Sequence, residues 1–341
     1  MMTAAAAPSL LDRLLAEKGV LLADGATGTN LFKMGLTSGD APELWNDTHP
    51  DRIRALHRSF VEAGADVILT NSFGCNRRRL ALHGLEGRVA ELAETAARLA
   101  RAEADAAGRP VVVGGSVGPT GDLFAPLGPL TEAEAIDVFA EEMEGLKAGG
   151  ADVAWIETMS SPEEIRAAAL AAERVGMPYV VTASFDTAGR TMMGLPPAGL
   201  GDLAATLPTP PIAVGANCGV GASDLLVTVG TLSAAHPEQV VVAKGNCGIP
   251  QFVGDEIRYS GTPELMGNYA RLAVDAGARI VGGCCGTSPE HLAAMRRAID
   301  GHVRRPAPTL ECIEAEVGPL VSPSKADGDG GSSRRSRRRA N

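Results

Sequence analysis

Eight short apolar runs recur along the chain, at residues 20–23, 66–70, 110–114, 152–156, 178–183, 212–216, 239–243 and 279–282. Each leads into a turn rich in Gly, Ser, Thr or Asn. Beyond the turn the apolar spacing widens to three or four residues, the period of a helix buried on one face. Such stretches predict helices at 50–63, 88–107, 131–148, 162–175, 223–234, 262–276 and 289–299. The starts Ser161-Pro162-Glu163-Glu164 and Ser288-Pro289-Glu290 carry a capping serine, then proline at the first helical position, then acid. The echo Ala63-Gly64-Ala65, Gly149-Gly150-Ala151 and Ala276-Gly277-Ala278 marks helix ends where a left-handed glycine turns the chain into the next strand. Strands that alternate with helices at this spacing predict a parallel sheet. Eight units in roughly 300 residues predict one α/β domain, a (β/α)8 TIM-type barrel.

The barrel is expected to occupy 10–305, after a flexible N-terminus at 1–9 and before a C-terminal extension at 306–321. Residues 322–341 are rich in Gly, Ser, Asp and Arg and lack apolar periodicity, so a disordered Arg-rich tail is expected there.

Composition narrows the function. The 341 residues are 45% hydrophobic with a net charge of −10. The last eight residues hold five arginines, so the remainder carries −15, which argues against a nucleic-acid-binding body. No apolar stretch is long enough to span a bilayer, and residues 1–8 lack the basic start of an export signal. The expected compartment is the cytoplasm, where thiols stay reduced. The six cysteines are therefore read as ligands, nucleophiles or core filler rather than a disulfide framework. Whether the chain forms a homo-oligomer is left open.

In this fold the chemistry gathers at the C-terminal ends of the strands. There the sequence places Asp24-Gly25-Ala26-Thr27-Gly28-Thr29, Thr70-Asn71-Ser72-Phe73, Ser116, Glu157-Thr158, Asn217-Cys218-Gly219, Lys244-Gly245-Asn246-Cys247 and Gly282-Gly283-Cys284-Cys285-Gly286-Thr287. Cys218 and the Cys284/Cys285 pair end strands six and eight and can converge above strand seven. Three such thiols suit a zinc ion that keeps its fourth position for substrate. The competing readings are buried small hydrophobes or a vicinal Cys284–Cys285 disulfide. Glu157 ends an apolar run, where a carboxylate must find a partner, whereas Asp24 beside glycine could be a plain turn residue. Cys75 and Cys247 read as packing residues, and Lys244 at a strand end invites a Schiff-base alternative.

These motifs, from about residue 10 to 302, resemble the homocysteine S-methyltransferase family, and within it the bacterial betaine–homocysteine branch. The resemblance implies a methyltransferase that forms methionine, with zinc held by Cys218, Cys284 and Cys285 and the homocysteine sulfur as fourth ligand. It also implies Asp24 and Glu157 as partners of the homocysteine ammonium, with backbone N–H groups of Asn71, Ser72 and Phe73 on its carboxylate and Asn217 in the same site. The expected methyl donor is betaine, whose quaternary ammonium favours aromatic faces. Trp45 and Phe73 are the candidates for that contact, because none of the three tyrosines lies in the early loops. The alternatives are a sulfonium donor, or a methylcobalamin-carrying partner docked over the mouth.

Overall fold

A computed structural model describes residues 7–253 and 256–321. Eight parallel strands form the sheet: β1 (Leu21–Leu22), β2 (Val67–Leu69), β3 (Val112–Val117), β4 (Val153–Met159), β5 (Tyr179–Ala183), β6 (Ala213–Cys218), β7 (Val241–Gly245) and, after a small hairpin, β10 (Ala278–Gly283). Their order is β1-β10-β7-β6-β5-β4-β3-β2, and a parallel bridge from Ala23 to Val67 closes the ring. All eight apolar runs are thus barrel strands, and the fold is the expected (β/α)8 barrel. No helix among the described residues is long and apolar enough to cross a membrane.

Alternation along the strands separates two cores. Val67, Leu69, Val112, Val153, Trp155, Val180, Ala213, Val242 and Ile280 fill the barrel interior. The other face of each strand packs against the surrounding helices in a second, larger cluster. Gly64, Gly150 and Gly277 take φ of 101°, 96° and 114°, the left-handed turns expected at those helix ends. Trp155 is fully buried in the interior, and Trp155→Ala is expected to cost about 3–5 kcal/mol through the void it leaves. Chemical denaturation followed by circular dichroism measures that cost.

Besides several short helical turns in the loops, three longer helices and a hairpin were not anticipated. The helix Leu10–Lys18, opened by a Ser9–Asp12 capping box, sends Leu11, Leu14 and Leu15 into the interior cluster. It precedes β1, so it closes the end of the barrel opposite the strand C-termini. The helix Pro197–Thr206 is rich in Gly and Ala and only weakly amphipathic, which hid its period. The helix Leu310–Val317 lies within the segment read as an extension, buries Ile313 and Val317, and is tied to the barrel by Arg271–Glu316 at 3.2 Å. An antiparallel hairpin, β8 (Pro250–Val253) with β9 (Glu256–Tyr259), follows β7. Residues 1–6 of the expected flexible terminus and all of the expected disordered tail at 322–341 lie outside the described residues.

Candidate functional site

Strand register brings the thiols together. Cys218 on β6 and Gly283 on β10 both pair with Gly245 of β7, so the two cysteine loops start at one height on either side of that strand. The Sγ atoms of Cys218, Cys284 and Cys285 all lie within 4.8 Å of one another. Gly283 leaves room for the turn that follows, since a Cβ there would come 2.3 Å from the Thr287 side chain. Backbone and side-chain bonds then fix the loops. Cys284 N–H donates to Gly245 C=O at 2.7 Å, and Cys285 N–H donates to Asn246 Oδ1 at 3.1 Å. Asn246 Nδ2 donates to Gly219 C=O at 2.7 Å, so one buried amide ties both cysteine loops. The sequence places Asn246 at the mouth but nothing local marks its role, because an Asn after a strand looks like any turn residue.

Two non-glycine residues adopt positive φ here, Cys218 at 60° and Thr158 at 62°. Such conformations cost energy and persist where surrounding contacts impose them. Asn217 supplies those contacts. Its Oδ1 accepts from Thr158 N–H at 2.8 Å and Thr182 Oγ1 at 2.7 Å, and its Nδ2 donates to Thr158 Oγ1 at 2.7 Å. Asn217 is completely buried, so it orients the site without facing the cavity.

A cavity of about 480 Å³ opens above the thiols at the C-terminal ends of the strands. Glu157 reaches its wall through a register irregularity of β4 against β5, between Ile156 and Met159. Its Oε1 accepts from Ser116 Oγ at 2.5 Å. Burial raises the Glu157 carboxyl above the ordinary value, while Lys244 and Ser116 pull it back.

Asp24 is placed differently from Glu157. It is 1% exposed, off the cavity wall, and both carboxylate oxygens are engaged. Lys244 Nζ donates to Oδ1 at 2.6 Å and Leu69 N–H donates to Oδ2 at 2.7 Å. For Lys244, burial alone would lower the pKa, but Asp24 and Glu157 more than offset it and hold the ammonium charged. A Schiff-base lysine must reach the neutral amine, so this pairing disfavours that chemistry.

Asn71 and Phe73 line the cavity, and Ser72 lies behind it, donating from Oγ to Ser116 C=O at 2.7 Å. Among the described residues the amides of Asn71, Ser72 and Phe73 donate to no protein acceptor. Trp45 does not reach the cavity. It is 6% exposed, stacks on His49 at 4.5 Å and lies under Arg52 at 5.0 Å, as a loop anchor does. Cys75 and Cys247 are buried with their sulfurs outside the trio, although Cys247 N–H donates to Cys285 C=O at 2.9 Å. The aromatic side chains on the cavity wall are Phe32, Phe73 and Tyr259. Tyr259, with its ring packed over Gly286, comes from the unanticipated hairpin.

The three thiols fit a shared cation. A tetrahedral ion with sulfur bonds of about 2.3 Å sets its sulfurs about 3.8 Å apart, within the observed spread. The six cysteines are free thiols, Cys284 and Cys285 included. Hydrogen bonding to Cys284 lowers the Cys218 pKa, but Cys285 and burial raise it, for a net rise to about 11. Three thiolates packed this closely repel one another, and a divalent ion is what would let all three lose their protons together.

A parallel barrel whose strand ends carry three clustered thiols and a buried carboxylate on one cavity has the donor set of a metal site beside a polar substrate pocket. The homocysteine S-methyltransferase family model matches residues 21–299, and the chain belongs to that family. It is 32% identical over 313 residues to methionine synthase of Mycobacterium tuberculosis, covering 87% of this chain and 26% of that protein. The methionine synthase of Mycobacterium leprae is likewise 32% identical, so the chain spans about a quarter of the length of these relatives. Among solved structures, the homocysteine methyltransferase MmuM from Escherichia coli in its oxidized form superposes with a TM-score of 0.72 at 25% identity, covering 85% of this chain and 99% of that one. Its metallated form gives a TM-score of 0.70 at 26% identity, covering 84% of this chain and 99% of that one.

Proposed function

We propose that this chain methylates the sulfur of homocysteine to form methionine, with zinc held by Cys218, Cys284 and Cys285 and betaine as methyl donor. The observation that carries the reading is the convergence of the three thiols in one cavity with Glu157 and the unpaired amides of residues 71–73. That the Escherichia coli relative has a metallated form supports a metal-binding reading of the thiol trio. Zinc bound there supplies a Lewis acid that keeps a substrate thiol deprotonated near neutral pH.

The residues divide the remaining work. Glu157 accepts from the homocysteine ammonium, and the amides of Asn71 and Phe73 receive its carboxylate. Asp24, with both oxygens engaged, acts through Lys244, whose retained charge steadies the Glu157 carboxylate. Asn217 and Asn246 hold the cysteine loops at the spacing the sulfurs need. Phe32, Phe73 and Tyr259 present apolar and π surface to a cationic donor in the same cavity. The sulfur attacks a methyl carbon in line with the departing nitrogen. The carbon–nitrogen bond breaks, and its electron pair leaves on a neutral tertiary amine.

A second reading has its own support. The relatives at 32% identity are methionine synthases about four times the length of the matched region, and Leu123, Leu127 and Met192 stand 52%, 73% and 72% exposed on loops at the barrel mouth. Both features suit a methyl-carrying corrinoid protein docked over the cavity. Methionine formation by zinc-loaded protein, offered betaine and methylcobalamin in parallel, decides between them. Turnover with betaine alone supports the first reading, and turnover with methylcobalamin alone replaces it. Glu157→Gln is expected to weaken homocysteine binding about 10- to 100-fold while zinc content stays unchanged. Calorimetric titration with homocysteine, paired with metal analysis, checks this, and zinc loss in the variant would contradict the assigned role.

A further inference from the structure

We infer that Glu43 determines donor specificity by recognising the cationic centre of the methyl donor; the inference rests on the methyl-transfer reading with a small onium donor. Charge accounting on the cavity wall leads to it. Lys244, the cation of that wall, is matched by Asp24 at 2.6 Å. Two carboxylates on the wall then remain without an ion pair among the described residues, Glu157 and Glu43. Homocysteine brings one ammonium, which Glu157 takes. The second carboxylate has no counterpart until a second cation enters, and an onium donor is such a cation.

The geometry of Glu43 suits that part. It lies in the short helical turn Pro42–Leu44 after β1, 6% exposed, with Oε1 accepting from Gly74 N–H at 2.7 Å. That bond fixes the carboxylate beside the loop bearing Phe73, and Phe32 and Phe73 line the same cavity. Aromatic faces with a buried carboxylate are the surroundings in which a desolvated quaternary ammonium or sulfonium binds well. His83 and Arg79 act on Glu43 only as distant charges, and burial, the larger effect, raises its carboxyl above the ordinary value. A buried carboxylate short of positive charge gains when a cation arrives. Local pattern does not disclose this role, because Glu43 inside Pro42-Glu43-Leu44 reads as a first-turn acid at a helix start.

The test compares betaine with 3,3-dimethylbutanoate, which keeps the shape and the carboxylate but replaces the nitrogen by neutral carbon. Each is titrated into zinc-loaded protein saturated with homoserine, whose hydroxyl replaces the homocysteine thiol and is not methylated, for wild type and Glu43→Gln. Glutamine still accepts from Gly74 N–H, so the loop is preserved while the charge is removed. Wild type is expected to hold betaine about 30-fold more tightly than the isostere, and Glu43→Gln to narrow that ratio to about threefold with homocysteine affinity unchanged. Equal weakening of both ligands would reduce Glu43 to a support for the loop and overturn the inference. A betaine preference undiminished in Glu43→Gln would overturn it while leaving the donor reading intact. If wild type binds neither betaine nor dimethylsulfonioacetate, the onium-donor reading itself fails and the inference falls with it.

Discussion

Cys284→Ala is expected to yield a folded protein with less than about a tenth of an equivalent of zinc and no methionine formation above background. The side chain is not part of the packed core, so its removal does not threaten the barrel. It does remove one of three sulfurs that lie within 4.8 Å of one another, and the two left cannot hold a three-ligand site. Cys218 and Cys285 should behave alike, since the three form one donor set. Metal analysis of the reduced protein, with circular dichroism to confirm the fold, makes the measurement. A stoichiometric zinc content in Cys284→Ala, or turnover within about tenfold of wild type, would remove the trio from the mechanism.

The second large effect concerns stability. Lys244→Met is expected to destabilise the protein by about 3–5 kcal/mol, because it strands the Asp24 carboxylate in the interior. Both partners are almost wholly buried, at 2% and 1% exposure of their side chains, so water cannot replace the lost partner. Leu69 N–H would remain as a donor to Asp24, which softens the cost without removing it. The double variant Asp24→Asn with Lys244→Met should recover much of the loss, since the buried charge goes as well. Denaturant titration of the four proteins of this cycle gives the coupling energy. A double variant as unstable as the sum of the singles would mean that the pair is not the source.

Much of this was legible in the residues. The eight strands showed themselves because a strand buried on both faces, such as β4, reads as an apolar run. The cysteine motifs pointed to a shared site because the barrel rule places every strand end at one mouth. What local pattern could not supply was pairing across the chain. Asp24 looked like a substrate ligand until Lys244, more than two hundred residues away, proved to occupy its carboxylate. Trp45 looked available as an aromatic face, but its ring is already used by His49 and Arg52. Tyr259 came from a hairpin that alternation did not disclose, and Glu43 from a turn with no periodicity to read.

The position of β10 in the ring has a consequence for biosynthesis. This strand is the last of the eight to be synthesised, it joins β7 to β1, and the two residues after it are Cys284 and Cys285. A nascent chain that has reached β7 owns only one thiol of the trio and a sheet with two open edges. Ring closure and completion of the cysteine set therefore arrive in a single docking event. The three-thiol set that the proposed metal would occupy is therefore complete only once the ring has closed.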